Sequence, residues 1–171
     1  MNDDHFFIER LPTPTGTMRI VTDAEDRLRA LDWDDNGDRQ ARALRLHCDG
    51  ARRPEIREAV SSARRALEAY FSGELSAVDA LKVKTGGTDF QRRVWAALRA
   101  IPVGATASYA HIAADIGRRK AMRAVGMANN ANPIAIVVPC HRVIGADGSL
   151  TGYGGGLERK LWLLRHEGAM I

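Results

Sequence analysis

Pro139-Cys140-His141-Arg142 is the stretch of this chain best equipped for chemistry. A thiol with a pKa of about 8.5 is only a few per cent thiolate at neutral pH, so a nucleophilic cysteine needs a base or positive charge beside it. His141 and Arg142 offer both. The competing reading is a small buried apolar group, a common fate of free cysteine. Cys48 lies in a polar helical stretch with only His47 as a helper, and burial accounts for it better. The chain has no Cys-x-x-Cys and no His-x-x-x-His, so no metal is expected. The glycines at 145, 148, 152 and 154–156 match neither the phosphate-loop nor the dinucleotide pattern, and no cofactor is expected.

The second candidate feature is electrostatic. Arg118, Arg119, Lys120 and Arg123 put four positive charges within six residues, and Gly117–Asn132 contains no acid. Residues 1–82 carry 13 Lys/Arg against 16 Asp/Glu, a balance of −3, whereas residues 83–171 carry 12 against 5, a balance of +7. Such an asymmetry points the C-terminal half at a polyanion. The plainer alternative is a solvated helix end, where arginine and lysine are common.

Elements to position these groups can be read from periodicity. Thr17–Thr22 and Leu28–Trp33 are strand-like around the polar turn Asp23–Asp26, and Asn36-Gly37 breaks the pattern. Ala41, Leu44 and Cys48 recur at helical spacing. A further helix is expected from Pro54, with the stripe Ile56, Val60, Ala63, Leu67 and Phe71, stopping at Ser72-Gly73. A linker spans Gly73–Gly87. Thr88-Asp89-Phe90-Gln91 has the form of a capping box opening a helix with Phe90, Val94 and Leu98 inward, ended by Pro102 and Gly104. Ser108 can cap a helix over Tyr109–Ile116, and after Gly117 a second helix covers Ala121–Asn129, a helix-turn-helix pattern. Asn132-Pro133 signals a turn, and Ile134–Val138 reads as a buried strand running into Cys140. A last helix places Leu157, Leu161 and Leu164 on one stripe and ends at Gly168.

With 171 residues, 45% of them hydrophobic and 27% charged, the chain suits one domain or two small ones and excludes a disordered, collagenous or coiled-coil protein. No apolar run is long enough to span a bilayer. The acidic start Met1–His5 lacks the features of a secretory signal, and two cysteines give no sign of an oxidising compartment. A reduced, cytoplasmic protein without a membrane partner is expected.

Five ordered motifs resemble the O6-alkylguanine-DNA alkyltransferase family: Arg123–Gly126, Asn132-Pro133, Ile136–Ile144, Thr151–Gly156 and Trp162–Gly168. The likeness is close over residues 84–171 and looser over 8–83, through Tyr70–Leu75. It implies an α+β architecture. A small RNase-H-like support domain would occupy residues 1–83. A mostly helical, winged-helix-like domain that binds DNA and holds the active site would occupy 84–171. Cys140 matches the acceptor whose thiolate attacks the alkyl carbon on guanine O6, and His141 the base that takes the thiol proton through a water. Glu167 matches the carboxylate that orients this histidine, Asn132 the residue that holds the active-site turn, and Tyr109 the tyrosine that approaches guanine N3.

Arg123 matches the arginine that fills the gap left by an extruded nucleotide, with Arg118, Arg119, Lys120, Ala121, Met122 and Arg142 around it as DNA contacts. Val143, Tyr153 and Gly154–Gly156 resemble the walls of the guanine pocket, with Gly155 in the middle of that backbone stretch. The partner implied is double-stranded DNA containing alkylated bases, met by a monomer with no obligate protein partner and no cofactor; O4-alkylthymine is an open second substrate. Two positions depart from the family pattern: Met122 stands where a small residue is common, and Arg119 where a proline is common. A non-catalytic protein that flags damaged DNA and a cysteine hydrolase remain as alternatives. The first would have no use for Cys140, and the second would leave the basic half unexplained.

Overall fold

The computed structural model describes residues 5–48 and 54–171, and it divides into two compact units, Met1–Gly86 and Gly87–Ile171. The acidic residues Met1–Asp4 lie outside the described residues. The fold is α+β.

In the first unit a four-stranded sheet has the order β3-β2-β1-β4. Its strands are β1 (Phe6–Leu11), β2 (Met18–Asp23), β3 (Leu28–Trp33) and the two-residue β4 (Glu55–Ile56). The first three form an antiparallel meander, with Ile8 opposite Val21 and Ile20 opposite Leu31, while β4 adds in parallel to β1. Helix α1 (Gly37–His47) lays Leu44 against Val21, Ala30, Phe6 and Cys48. Helix α2 (Ser62–Phe71) buries Ala63, Leu67 and Tyr70. Strand β3 is buried along its whole length, so its charged members need partners: Arg29 donates to the Lys84 carbonyl at 3.0 Å and to Asp23 at 3.3 Å.

Three expectations shift here. Strand β1 was not foreseen, because Phe6-Phe7-Ile8-Glu9-Arg10-Leu11 does not alternate cleanly. The helix expected from Pro54 begins only at Ser62. Ile56 and Val60, assigned to its stripe, are exposed, because the segment before Ser61 is spent pairing with β1. The stretch taken as linker is tied down as well: Leu28 N–H donates to the Lys82 carbonyl and Lys84 N–H to the Leu28 carbonyl. That pairing carries the first unit to Gly86, three residues past the division set from sequence.

The second unit starts with α3 (Asp89–Arg99), whose capping box is present in full: Thr88 Oγ accepts from Gln91 N–H at 3.1 Å and Gln91 Oε1 from Thr88 N–H at 3.0 Å. Val94, Trp95 and Leu98 are its buried side chains, and Phe90 is half-buried. Helices α4 (Tyr109–Asp115) and α5 (Met122–Asn130) follow, packed against each other and against α3. Ser108 caps α4 by accepting from His111 N–H at 3.0 Å, and Trp95 Nε1 donates to the Ala128 carbonyl at 2.9 Å. The short strands β5 (Ala107–Ser108) and β6 (Val143–Ile144) pair in parallel, and α6 (Leu157–His166) closes the unit. Among the described residues no helix is long and apolar enough to cross a membrane.

Ser61 ties α2 to the sheet of the first unit. Its hydroxyl accepts from Arg64 N–H at 3.1 Å and donates to buried Glu9, whose other oxygen takes Ser61 N–H at 3.1 Å. Loss of an N-cap costs about 0.5–2 kcal/mol, and a half-satisfied buried carboxylate adds to it. Ser61→Ala should therefore lower the stability of the first unit by about 2 kcal/mol or more, read as a lower urea midpoint. An unchanged midpoint would mean that Glu9 finds a replacement donor.

Candidate active site

Cys140 does not follow a strand. Ile134–Val138 is a string of tight turns, entirely buried, and the reason is Asn132. Its side-chain amide donates to the carbonyls of Ile134 at 3.2 Å and Val138 at 2.8 Å, and its carbonyl oxygen accepts from Ile134 N–H at 3.0 Å. One side chain supplies the backbone partners that a neighbouring strand would otherwise supply. Ile136 sits at a φ of 68°, a conformation costly for a β-branched residue. The chain is thereby turned back so that Cys140 N–H donates to the Val138 carbonyl at 2.8 Å, and Cys140–Arg142 form one 3₁₀ turn. β-Branched residues favour strands, but the local side-chain competitor wins.

All three residues of that turn are buried. His141 has no solvent exposure, and its Nε2 lies 2.9 and 3.0 Å from the two carboxylate oxygens of Glu167. With Nε2–H donating to Glu167, Nδ1 is the nitrogen left to accept a proton. Burial pushes the His141 pKa below the ordinary value, further than Glu167 raises it, so the ring is neutral at neutral pH and able to act as a base.

Glu167 stands at the C-cap of α6. Gly104 packs on it with a φ of 82°, and a Cβ at that position would come within 3.1 Å of the Glu167 carbonyl oxygen. Arg142, expected to meet DNA, is 3% exposed and does something else. Its Nε donates to Glu167 Oε1 at 2.8 Å, one terminal nitrogen to Oε2 at 3.0 Å, and the other to the Ile101 carbonyl at 2.6 Å. A guanidinium committed in this way has no face left for a phosphate. Burial alone would raise the Glu167 pKa, but hydrogen bonds from His141 and Arg142, with the charge of Arg142, outweigh it and hold the carboxyl at about 2.

Lys160 is a site residue that sequence reasoning missed. It is fully buried on α6, and its Nζ donates to the carbonyls of Val143 at 2.6 Å and Thr151 at 3.2 Å. Burial lowers its pKa to about 8, against an upward pull from the charge of Cys140. Of the expected stripe Leu157, Leu161 and Leu164, only Leu164 is buried; Leu157 is 48% exposed, and Lys160 on α6 and Glu167 at its C-cap face inward with Leu164. An i, i+4, i+7 series was present, but two of its members are charged, and a search for apolar residues passes over them.

The remaining expected residues sort by exposure. Tyr109 is half-buried, and its hydroxyl lies 2.8 Å from Thr151 Oγ1. Val143 is fully buried, Tyr153 and Gly155 half-buried, and Gly154 and Gly156 exposed. Arg118, Arg119, Lys120, Met122 and Arg123 are all exposed at the turn between α4 and α5 and on α5 itself, with Ala121 half-buried among them. Among the described residues no group of three or more His, Cys, Asp and Glu side chains is placed to hold a metal ion.

This geometry has close relatives. The model of the 6-O-methylguanine DNA methyltransferase DNA-binding domain matches residues 89–169. A methylated-DNA–protein-cysteine methyltransferase of Salmonella typhimurium is 51% identical over 168 residues, which is 95% of this chain and 96% of that protein. The chain belongs to the O6-methylguanine DNA methyltransferase family. Crystal structures of the O6-methylguanine methyltransferase of Mycobacterium tuberculosis agree in fold: one superposes with a TM-score of 0.75 at 40% identity, covering 96% of this chain and 92% of that one. Its complex with DNA gives 0.76 at 40% identity over 94% and 92%. Membership of this alkyltransferase family gives a nucleophilic cysteine beside a buried histidine–carboxylate pair a known kind of use.

Because the folded pKa of Glu167 is about 2 against an ordinary 4.5, its stabilising contribution is complete above about pH 4.5 and is lost as pH falls through 2. A displacement of that size is worth about 3 kcal/mol. Glu167→Gln should flatten this acid limb and lower neutral stability by about 3–5 kcal/mol, because Arg142 is left buried without its counter-charge. Urea unfolding between pH 2 and 7 measures both; an acid limb unchanged in the variant would assign it to other carboxylates.

Proposed function

We propose that Cys140 is the alkyl acceptor of a direct-reversal DNA repair protein and that each molecule acts once. The reaction is transfer of a methyl or other alkyl group from O6-alkylguanine in duplex DNA to a protein cysteine. The observation that carries the assignment is the buried pair of neutral His141 and ionised Glu167, set in and beside the buried turn that carries Cys140. The thiol gives its proton toward His141 Nδ1, and the resulting imidazolium is stabilised by Glu167 across Nε2. The thiolate then attacks the alkyl carbon in line. The S–C bond forms as the C–O6 bond breaks, and its electron pair leaves with guanine O6. The departing base regains a proton on its ring, and the Tyr109 hydroxyl is the group proposed to approach N3 and ease that departure.

Guanine O6 is out of a protein nucleophile's reach inside the base stack, so the nucleotide must be extruded, at a cost of a few kcal/mol. Arg123, exposed on α5, is the side chain proposed to fill the gap, and Arg118, Arg119 and Lys120 supply charge for the phosphates. The family resemblance implies that α5 lies in the minor groove, which carries little sequence information and so suits a protein that must act wherever a lesion falls. Asn132 and Arg142 are positioning residues: the first holds the turn that carries the thiol, the second holds Glu167. A thioether is stable to the acid–base groups described around Cys140, and this supports single use.

The test is incubation with a duplex containing O6-methylguanine, followed by intact mass and mapping of tryptic peptide 124–142. One methyl group per molecule, on Cys140 and never more, is expected, with Cys140→Ser unreactive. Binding should weaken with salt at a slope of about −0.9 per phosphate neutralised. Tight binding without mass change would instead favour a protein that only flags damage.

A further inference from the structure

The solvent-facing arc of α5 is centred on Arg123. At about 100° per residue, Met122 falls on one side of it and Met127 on the other, while Val125, Ala128 and Asn129 face inward. Met122 is 49% exposed and Met127 74% exposed. The turn that leads into α5 exposes Arg118, Arg119 and Lys120. Methionine has no charge and no N–H or O–H to donate, so neither side chain adds to phosphate binding. Met122 leaves about half of its surface and Met127 most of its surface in water, and that apolar area costs solvation until something apolar covers it. The charges around them restrict that covering to a polyanion with an apolar interior.

We propose that Met122 and Met127 are paired apolar wedges that enter the minor groove on either side of Arg123 and cover the base faces exposed when a nucleotide is extruded. The proposal rests on the alkyltransferase reading above and adds two groups to it. Apolar side chains, methionine among them, are what minor-groove proteins insert to unstack a base step. A thioether on a flexible stem adapts to irregular gaps and contacts aromatic faces favourably. Every base has such a face, so the wedge works without regard to sequence. It favours sites where the stack opens easily, as it does at a damaged pair. Arg123 alone would fill the vacated space with a strongly polar group and leave the flanking bases wet; the methionines supply the missing apolar contact.

The full chain carrying Met122→Ala and Met127→Ala together, and a second chain with both changed to leucine, would be compared with the unaltered protein. Transfer rates would be measured on an O6-methylguanine duplex and on the free O6-methylguanine base, with the salt dependence of duplex binding. The ratio of duplex to free-base rate constants should fall about tenfold in the alanine protein, equivalent to about 1.4 kcal/mol. Leucine should restore most of it, and the salt slope should stay as it was because no phosphate contact is lost. A 2-aminopurine placed beside the lesion should show less unstacking with the alanine protein. An unchanged ratio, or a shallower salt slope, overturns the wedge. So does an unchanged ratio accompanied by loss of self-association, which would make this face a contact between copies. If the unaltered protein transfers nothing from the duplex, the alkyltransferase reading itself has failed, and the two failures are told apart.

Discussion

A carboxylate held away from water must have its charge met and its lone pairs filled, and Glu167 is filled from two sides by His141 and Arg142. Burying such an ion alone would cost several kcal/mol, and its attraction to a partner repays that only when the geometry is good and the remaining lone pairs are taken. Here both oxygens receive donors, and the guanidinium that supplies two of them also caps the Ile101 carbonyl at the end of α3. A single ion pair therefore links three parts of the C-terminal unit: the nucleophile turn, the end of α3 and the end of α6. The catalytic relay uses the remaining capacity of the same carboxylate. Function and stability meet at one atom group, so a substitution there cannot change the first without the second.

The charges around Cys140 follow from this arrangement. Glu167 and Arg142 cancel, and His141 stays neutral because burial resists its protonation. That leaves Lys160, with its pKa brought down to about 8, as the nearby cation whose titration is coupled to the thiol. A thiolate formed by proton loss to His141 has the Lys160 charge available to it, held in place by two backbone carbonyls. Five ionisable side chains in or beside a buried turn are tolerable because the charges oppose one another: Glu167 against Arg142, and Lys160 against a Cys140 thiolate, with His141 neutral.

The fold and the site were legible in the sequence to different depths. The helix starts at Thr88 and Ser108 could be read directly, because a cap is a local contract between residues three apart. The meander strands β2 and β3 were visible from their turn, whereas β1, with Glu9 buried on Ser61, was hidden by its charged members. Cys140, His141 and Glu167 could be singled out as candidates through the family motifs, and the contact between His141 and Glu167 is the addition made by the fold. What could not be read was the burial of the basic residues around that carboxylate. Arg142 and Lys160 look like surface residues by type, and only three-dimensional proximity to Glu167, Ile101, Val143 and Thr151 shows that they are not. The turn at 134–138 was misread for the opposite reason: its residue types describe a strand, and one asparagine overrides them.

That override bears on how the site is built. A strand ending at Pro139 would have to be paired on both sides, and its end would be set by its neighbours. A turn folded around Asn132 carries its own hydrogen bonds, so the position of Cys140 is set from within eight residues of chain. The price is the backbone of Ile136, held in a conformation that costs of order 1–3 kcal/mol. Strain of this kind survives only where surrounding contacts over-determine it, and Ile136 has them, being 1% exposed in a wholly buried loop. On the proposed chemistry the arrangement suits a site that is used once. Alkylation turns a thiolate into a neutral, larger thioether in a buried turn, and it removes the charge that pulls the Lys160 pKa upward. The product is thus less well matched to its surroundings than the reactant, a mismatch that an enzyme working through many cycles would have to avoid and a protein consumed in its reaction does not.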